Sequence, residues 1–235
     1  MSKISYFPVP ESLDALPEDI RTSILEVQEK AGFIPNVFLM LAHRPAEFRA
    51  FFAYHDALME RESPTLSLVE REMIVVAMSA QHQCLYCVVA HGALLRIYAK
   101  SPTLSDQIAV NFRTAAISPR QREMLEYASH LAIERGVLTD EWIERLQAHD
   151  FSMDDIWDIG AIAAFFGLSN RLVSQAATPP NEEFYLLGRV PRNKAVYPRP
   201  ALGFAPPCRV VATSGHGCPR AKRPHVNNNK SIENA

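Results

Sequence analysis

The chain has 235 residues, 48% of them hydrophobic and 21% charged, with a formal net charge of −2 and an isoelectric point near 6.4. That balance describes a soluble globular protein with material for one well-filled core or two small ones. It gives no reason to expect nucleic acid or an anionic membrane surface as the main partner. The opening residues hold no apolar segment of the kind a secretory signal needs. Four cysteines in a chain of this length, two of them in a CxxC pair, fit a reducing compartment, so a cytoplasmic location is expected.

Helical periodicity dominates residues 1–188. Pro17, Glu18 and Asp19 open a helix to about Lys30, with acids in the first turn favouring the helix dipole, and Gly32 stops it. A short apolar helix follows Pro35 and Asn36. Pro45 starts another, whose Phe48, Phe51, Phe52 and Leu58 read as core packing. Ser67 with Glu70 three residues on forms a capping box and begins the helix that carries Glu72, Ile74, Val75 and Met78. A break at Gln81, His82 and Gln83 precedes a helix over 84–99. Ser118, Pro119 and Gln121 repeat the capping pattern with Pro at the first helical position.

Thr139 caps a further helix, and Ser152 with Asp155 caps the last long one, which runs to about Ala176 before a short extension over 181–188. Its apolar stretch over 156–173 contains Asp158, Asn170 and Arg171, which reads as a buried helix and not a membrane span. Asp154, Asp155 and Asp158 read as first-turn acids facing the dipole. No alternating strand pair is evident, so the expected fold is all-α, a compact multi-helix domain.

Residues 189–235 differ from the rest. They hold nine Lys/Arg against one Glu, and seven of the 17 prolines. So basic and proline-rich a segment has little apolar material to offset the cost of ordering it, and it is expected to be a disordered tail. Cys208, His216 and Cys218 fall within it and are not read as a metal site.

The segment that carries chemistry is Glu72, then Cys84-Leu85-Tyr86-Cys87 and His91. A free thiol with a pKa of ~8.5 is only about 3% ionised at neutral pH. Lowering the pKa to ~7 makes it half thiolate, a stabilisation of ~2 kcal/mol. On a helix, Cys84 and Cys87 are neighbours at i, i+3, and His91 lies one turn beyond Cys87 at i, i+4. Glu72 reaches the same turn if the break at 81–83 reverses the chain. The helix N-terminus favours a thiolate on Cys84, whereas His91 favours Cys87. Redox thiol chemistry is the first reading. A zinc site with Glu72 or His82 as fourth ligand is the second, though no second CxxC or HxxxH completes it. Tyr86 reads as pocket wall, donor or packing, and His43, His55, His130 and His149 as surface or capping residues. A short echo of the first capping box, Ser118 to Met124, places Glu123 where Glu72 stands. Arg135, Leu138 and Trp142 replace the reactive residues there, so Glu123 reads as structural.

Leu66-Ser67-x-x-Glu70-Arg71-Glu72, Ser79 and Cys84-x-Tyr86-Cys87-x-x-x-His91 together resemble the alkylhydroperoxidase D-like, or carboxymuconolactone decarboxylase-like, superfamily. Ile4-Ser5-Tyr6-Phe7-Pro8, Pro35-Asn36-Val37-Phe38 and the stretch from Phe165-Phe166 to Asn170-Arg171 are similar to its peroxidase-related subgroup. The resemblance spans roughly residues 1–188. It implies an all-helical homo-oligomer that acts as an antioxidant thiol peroxidase of peroxiredoxin-type activity. In that scheme Cys87 attacks a hydroperoxide to become a sulfenic acid and Cys84 resolves it as a disulfide. His91 relays the proton, with Glu72 as the distant base acting through water. No cofactor would be bound; an external dithiol or lipoyl-type reductant would restore the thiols. A lactone decarboxylase using only His and Glu, or a non-enzymatic redox-sensing or zinc-binding module, is the alternative. Gly167 departs from the Asn expected in the last-helix motif.

Overall fold

The computed structural model describes residues 3–61, 63 and 65–189, and the tail expected beyond Arg189 lies outside the described residues. After a 3-10 turn at Leu13–Ala15 come α1 (Glu18–Ala31), α2 (Asn36–Leu41), α3 (Pro45–Met59), α4 (Leu68–Gln81) and α5 (Leu85–Tyr98). α6 (Leu104–Asn111), α7 (Pro119–Ala132), α8 (Asp140–Gln147), α9 (Met153–Ala176) and α10 (Glu183–Leu186) follow. Among the described residues there is no strand, and the fold is all-α.

The caps read from the sequence are made. Ser67, Ser118 and Ser152 each accept the N–H three residues on, at 3.3, 3.1 and 3.1 Å. Glu70, Gln121 and Asp155 reach back to the cap N–H at 3.0, 3.1 and 2.8 Å, so two orphan donors are satisfied at each helix start. Gly32, at φ 90°, closes α1 in the left-handed conformation. α6 was not foreseen: Thr103 makes no side-chain cap, and two turns give too short a pattern to stand out.

α4 is the axis of the molecule. Every residue from Glu70 to Ser79 is buried, and the helix packs against α5, α6, α7 and α9. A charged residue buried this way needs a partner. Glu70 is held by Ser67 and Arg120, Glu72 by His91, and Arg71 by Asp158 at 3.1 Å and the Leu58 carbonyl. Asp158 is therefore not a dipole acid as expected. It is 3% exposed, bonded to both Arg71 and Arg61, and anchors α9 to α4. Asp154 does sit exposed in the first turn, 3.5 Å from Arg61.

α9 is long and apolar enough to cross a bilayer by length and composition, yet 61% of its most apolar window is buried within this fold. Its Ile159, Ile162 and Phe166 pack with Ile74, Met78 and Leu125 in the larger core cluster. The second cluster gathers α1, α2, the start of α3 and the first turns of α5, including both thiols. The two ends of the described chain meet there. Asn181 accepts the Asn36 N–H at 2.8 Å and donates to the Ile34 carbonyl at 2.9 Å, which caps α2 from far along the sequence. Buried Arg96 ties α5 to α10 through the Phe184 and Leu187 carbonyls, both at 2.8 Å, and Arg189 pairs bidentately with Asp106.

Candidate active site

The thiol pair is built by the way α4 ends. Gln83 takes φ 58°, its N–H bonds the Ala80 carbonyl at 3.0 Å, and the Cys84 N–H bonds the Ser79 carbonyl at 2.9 Å. These two bonds form a Schellman motif in which Gln83, not the usual glycine, is the left-handed residue. The residue that closes α4 is thereby also the N-cap of α5: Cys84, whose carbonyl accepts the Val88 N–H at 3.0 Å. The helix reversal lays α5 back along α4, so that Glu72 and His91, 19 residues apart, are hydrogen-bonded at 2.9 Å.

Both thiols are unbridged and buried. The Cys87 side chain hydrogen-bonds Cys84, and this contact does most to lower the Cys84 thiol from its ordinary value of 9.0 to about 7. Burial opposes it, while the Cys87 N–H, the Ser174 hydroxyl and the Tyr86 N–H assist. The same contact, burial and the neighbouring charge push Cys87 upward, against the Ser169 and Ser79 hydroxyls. From about pH 7 upward the two sulfurs thus come to hold one proton and one charge between them, a coupled pair and not two independent acids. The charge falls on the helix N-terminal sulfur, Cys84, as the dipole argument favours.

Glu72 and His91 are directly bonded, without the intervening water expected. A carboxylate only accepts, so the His91 Nδ1 carries the proton and Nε2 is left as acceptor. The imidazole stands edge-on to Phe166 at 4.7 Å. His55, which its spacing marks as a surface or capping residue, instead has its ring half-buried 6.5 Å from His91 and 6.1 Å from Phe165, with Nδ1 on Asp56 at 2.9 Å. Nothing in its spacing signals this, because α3 brings it in from another part of the chain. Ser169 and Ser174 were missed for the same reason.

Tyr86 is buried and accepts the Val37 N–H at 3.2 Å, so it joins α5 to α2 as a packing residue with a polar tip. Asn170 ties α9 to the end of α4, accepting from the Ser79 hydroxyl at 3.1 Å and donating to His82 at 3.0 Å. Burial, then Arg171, lowers the His82 pKa and keeps the ring neutral for that bond. Both residues considered as a fourth zinc ligand are thus engaged. Among the described residues no group of three or more His, Cys, Asp and Glu side chains is gathered as for a metal ion. Glu123 pairs with Arg145 at 2.6 Å, away from any thiol, in a structural setting. His43 bonds the Met40 carbonyl and His130 the Val137 carbonyl. Gly167 leaves room for Arg171, whose Nη1 would lie 3.3 Å from a Cβ there.

The model of the Carboxymuconolactone decarboxylase family matches residues 45–130, which hold α3 to α6, most of α7 and both thiols. A crystal structure described as an alkylhydroperoxidase AhpD core, an uncharacterized peroxidase-related protein from Ralstonia eutropha JMP134, is 59% identical with a TM-score of 0.79. The match covers 82% of this chain and 100% of that one. An uncharacterized peroxidase-related protein from Silicibacter sp. TM1040 is 36% identical over 80% of this chain and 97% of that one, with a TM-score of 0.75. The debrominase Bmp8, in its apo form, is 18% identical over 77% of this chain and 95% of its own, with a TM-score of 0.59, and shares the fold. No curated protein matches the sequence.

Proposed function

Because the chain belongs to the alkylhydroperoxidase D-like, carboxymuconolactone decarboxylase-like superfamily, in its peroxidase-related branch, we propose that it reduces hydroperoxides through Cys84 and Cys87 with an external dithiol as reductant. The observation that carries this reading is the unbridged, buried thiol pair in side-chain contact, one turn from a histidine fixed by a buried carboxylate.

In the resting pair Cys84 is the thiolate and Cys87 the thiol. Passage of the proton from Cys87 to Cys84 leaves the charge on the sulfur beneath His91. Cys87 attacks the terminal peroxide oxygen, the O–O bond breaks, and Cys87 becomes a sulfenic acid. The departing alkoxide takes the Cys84 proton, relayed by His91 Nε2, and leaves as the alcohol. Cys84, again a thiolate, attacks the sulfenic sulfur and expels hydroxide, which leaves as water after taking a proton from solvent. The pair carries no more than one negative charge at any step, which suits a buried site. A dithiol of the lipoyl type then reduces the disulfide by exchange.

Consumption of an organic hydroperoxide with dithiothreitol, dihydrolipoamide and glutathione tests the reading. Dithiols should sustain turnover, both Cys→Ser variants should lose it, and a sulfenate should be trapped on Cys87 in Cys84→Ser. Turnover retained by Cys87→Ser, or a sulfenate trapped only on Cys84, contradicts the assignment. Lactone decarboxylation without peroxide turnover would place the chemistry on His91 and Glu72 alone.

A further inference from the structure

The chemistry proposed above uses one imidazole, yet two stand at the site. His91 on α5 and His55 on α3 have ring centroids 6.5 Å apart, and Phe165 and Phe166 of α9 lie 6.1 and 6.5 Å from His55. Each ring is oriented by a carboxylate: Nδ1 of His91 is bonded to Glu72 and Nδ1 of His55 to Asp56, both at 2.9 Å. A neutral ring held this way carries its proton on Nδ1 and presents Nε2 as an acceptor. Among the described residues neither Nε2 has a hydrogen-bond partner. Were His55 needed only to fill space among these rings, phenylalanine would serve, as it does at Phe51 and Phe52 on the same helix.

Two imidazoles joined by a direct N···N hydrogen bond have centroids no more than about 5 Å apart, whereas one oxygen between them allows up to about 8 Å. At 6.5 Å the rings are too far apart to bond each other and close enough to hold a small oxygen compound between them. The His55 side chain is 26% exposed and that of His91 15%, so a molecule entering from solvent meets His55 first and His91 beyond it. We propose that His55 orients the hydroperoxide, its Nε2 accepting a hydrogen bond from the O–H of the terminal peroxide oxygen that Cys87 attacks. The inference rests on the peroxidase reading and adds to it a substrate contact from a different helix. A hydroperoxide has one proton to donate, and it sits on the oxygen the thiolate must reach; an acceptor fixed on α3 therefore sets the direction of the O–O bond. No proton changes hands at His55. The hydrogen stays on its oxygen as the S–O bond forms and the O–O bond breaks, and it remains in the sulfenic acid. The alkoxide takes its proton through His91 as before. The surrounding rings offer the O–H few other acceptors, which strengthens the bond over its counterpart in water.

Stopped-flow oxidation of the reduced full chain by cumene hydroperoxide tests this, with reduction of the resulting disulfide by dithiothreitol measured beside it as a step that involves no peroxide. His55→Phe keeps a ring and loses the acceptor. Its second-order rate constant toward the hydroperoxide should fall about tenfold, while the dithiothreitol step and the helical circular dichroism stay unchanged. His55→Gln sets an amide oxygen near the place of Nε2 and should recover most of the loss. Equal hydroperoxide rates in the parent and His55→Phe overturn the inference and leave the peroxidase reading standing. A loss that His55→Gln does not restore, or one that slows the dithiothreitol step equally, marks a packing role and overturns it too. A parent chain that does not reduce cumene hydroperoxide at all overturns the peroxidase reading and takes this inference with it.

Discussion

Replacing Cys87 with Ala removes the largest influence holding the Cys84 thiol at about 7 instead of its ordinary 9.0. The two-unit difference corresponds to about 2.7 kcal/mol between the two protonation states. At pH 7 Cys84 is about half thiolate at the lower value and about 1% at the higher, a fiftyfold difference in reactive form. Intrinsic nucleophilicity works the other way: with a Brønsted slope of ~0.45, the more basic thiolate reacts about eightfold faster. At pH 7, full loss of the effect should therefore slow alkylation of Cys84 only about sixfold, while the high-pH plateau rises about eightfold. The Cys87 N–H, the Tyr86 N–H and the Ser174 hydroxyl remain, and so does the burial that opposes them, so the midpoint should move up by at least about one unit. Ultraviolet thiolate absorbance, taken as a difference against Cys84→Ser, follows the same titration without requiring reagent access. A midpoint that stays near 7 in Cys87→Ala would refute the shared proton and give the effect to the helix N-terminus.

Other consequences follow from single contacts. Glu72→Gln keeps an acceptor for His91 Nδ1 but removes the charge that supports an imidazolium, so turnover should fall at least about tenfold with the helical spectrum unchanged. Asp158→Ala strands the fully buried Arg71 guanidinium, and urea unfolding should register a loss of about 3–5 kcal/mol; the Arg71→Met, Asp158→Leu pair should lose much less. Asn181→Ala removes the acceptor for the Asn36 N–H and the donor to the Ile34 carbonyl, which should lower stability by about 1–3 kcal/mol by the same measure.

Local rules with strong side-chain signatures were legible in the sequence. The three Ser-initiated boxes, the prolines at the starts of α3 and α7, and Gly32 fix helix ends through bonds within four residues, and each was found where expected. The i, i+3 and i, i+4 spacings made the Cys84, Cys87 and His91 cluster readable, and the reversal that joins Glu72 to it followed from the break at 81–83. What was hidden depends on distant chain. Asp158 looks like a dipole acid until α4 supplies Arg71, and His55 looks like a surface residue until α3 is laid beside Phe165. α6 has no capping side chain to announce it. The left-handed residues closing α4, α5 and α9 are Gln83, Lys100 and Ala177, none of which carries glycine's signal. Which sulfur is the more acidic turned first on the hydrogen bond between the two thiols and on how deeply each is buried, while the helix N-terminus had pointed to Cys84 from the sequence.

Peptide mapping of the reduced chain after a single equivalent of an organic hydroperoxide tests the paired-thiol chemistry most sharply. One equivalent of alcohol should form with a Cys84–Cys87 disulfide in stoichiometric yield, leaving Cys208 and Cys218 still open to alkylation. Recovery of both Cys84 and Cys87 as free thiols, or their linkage to Cys208 or Cys218 instead of to each other, would contradict it.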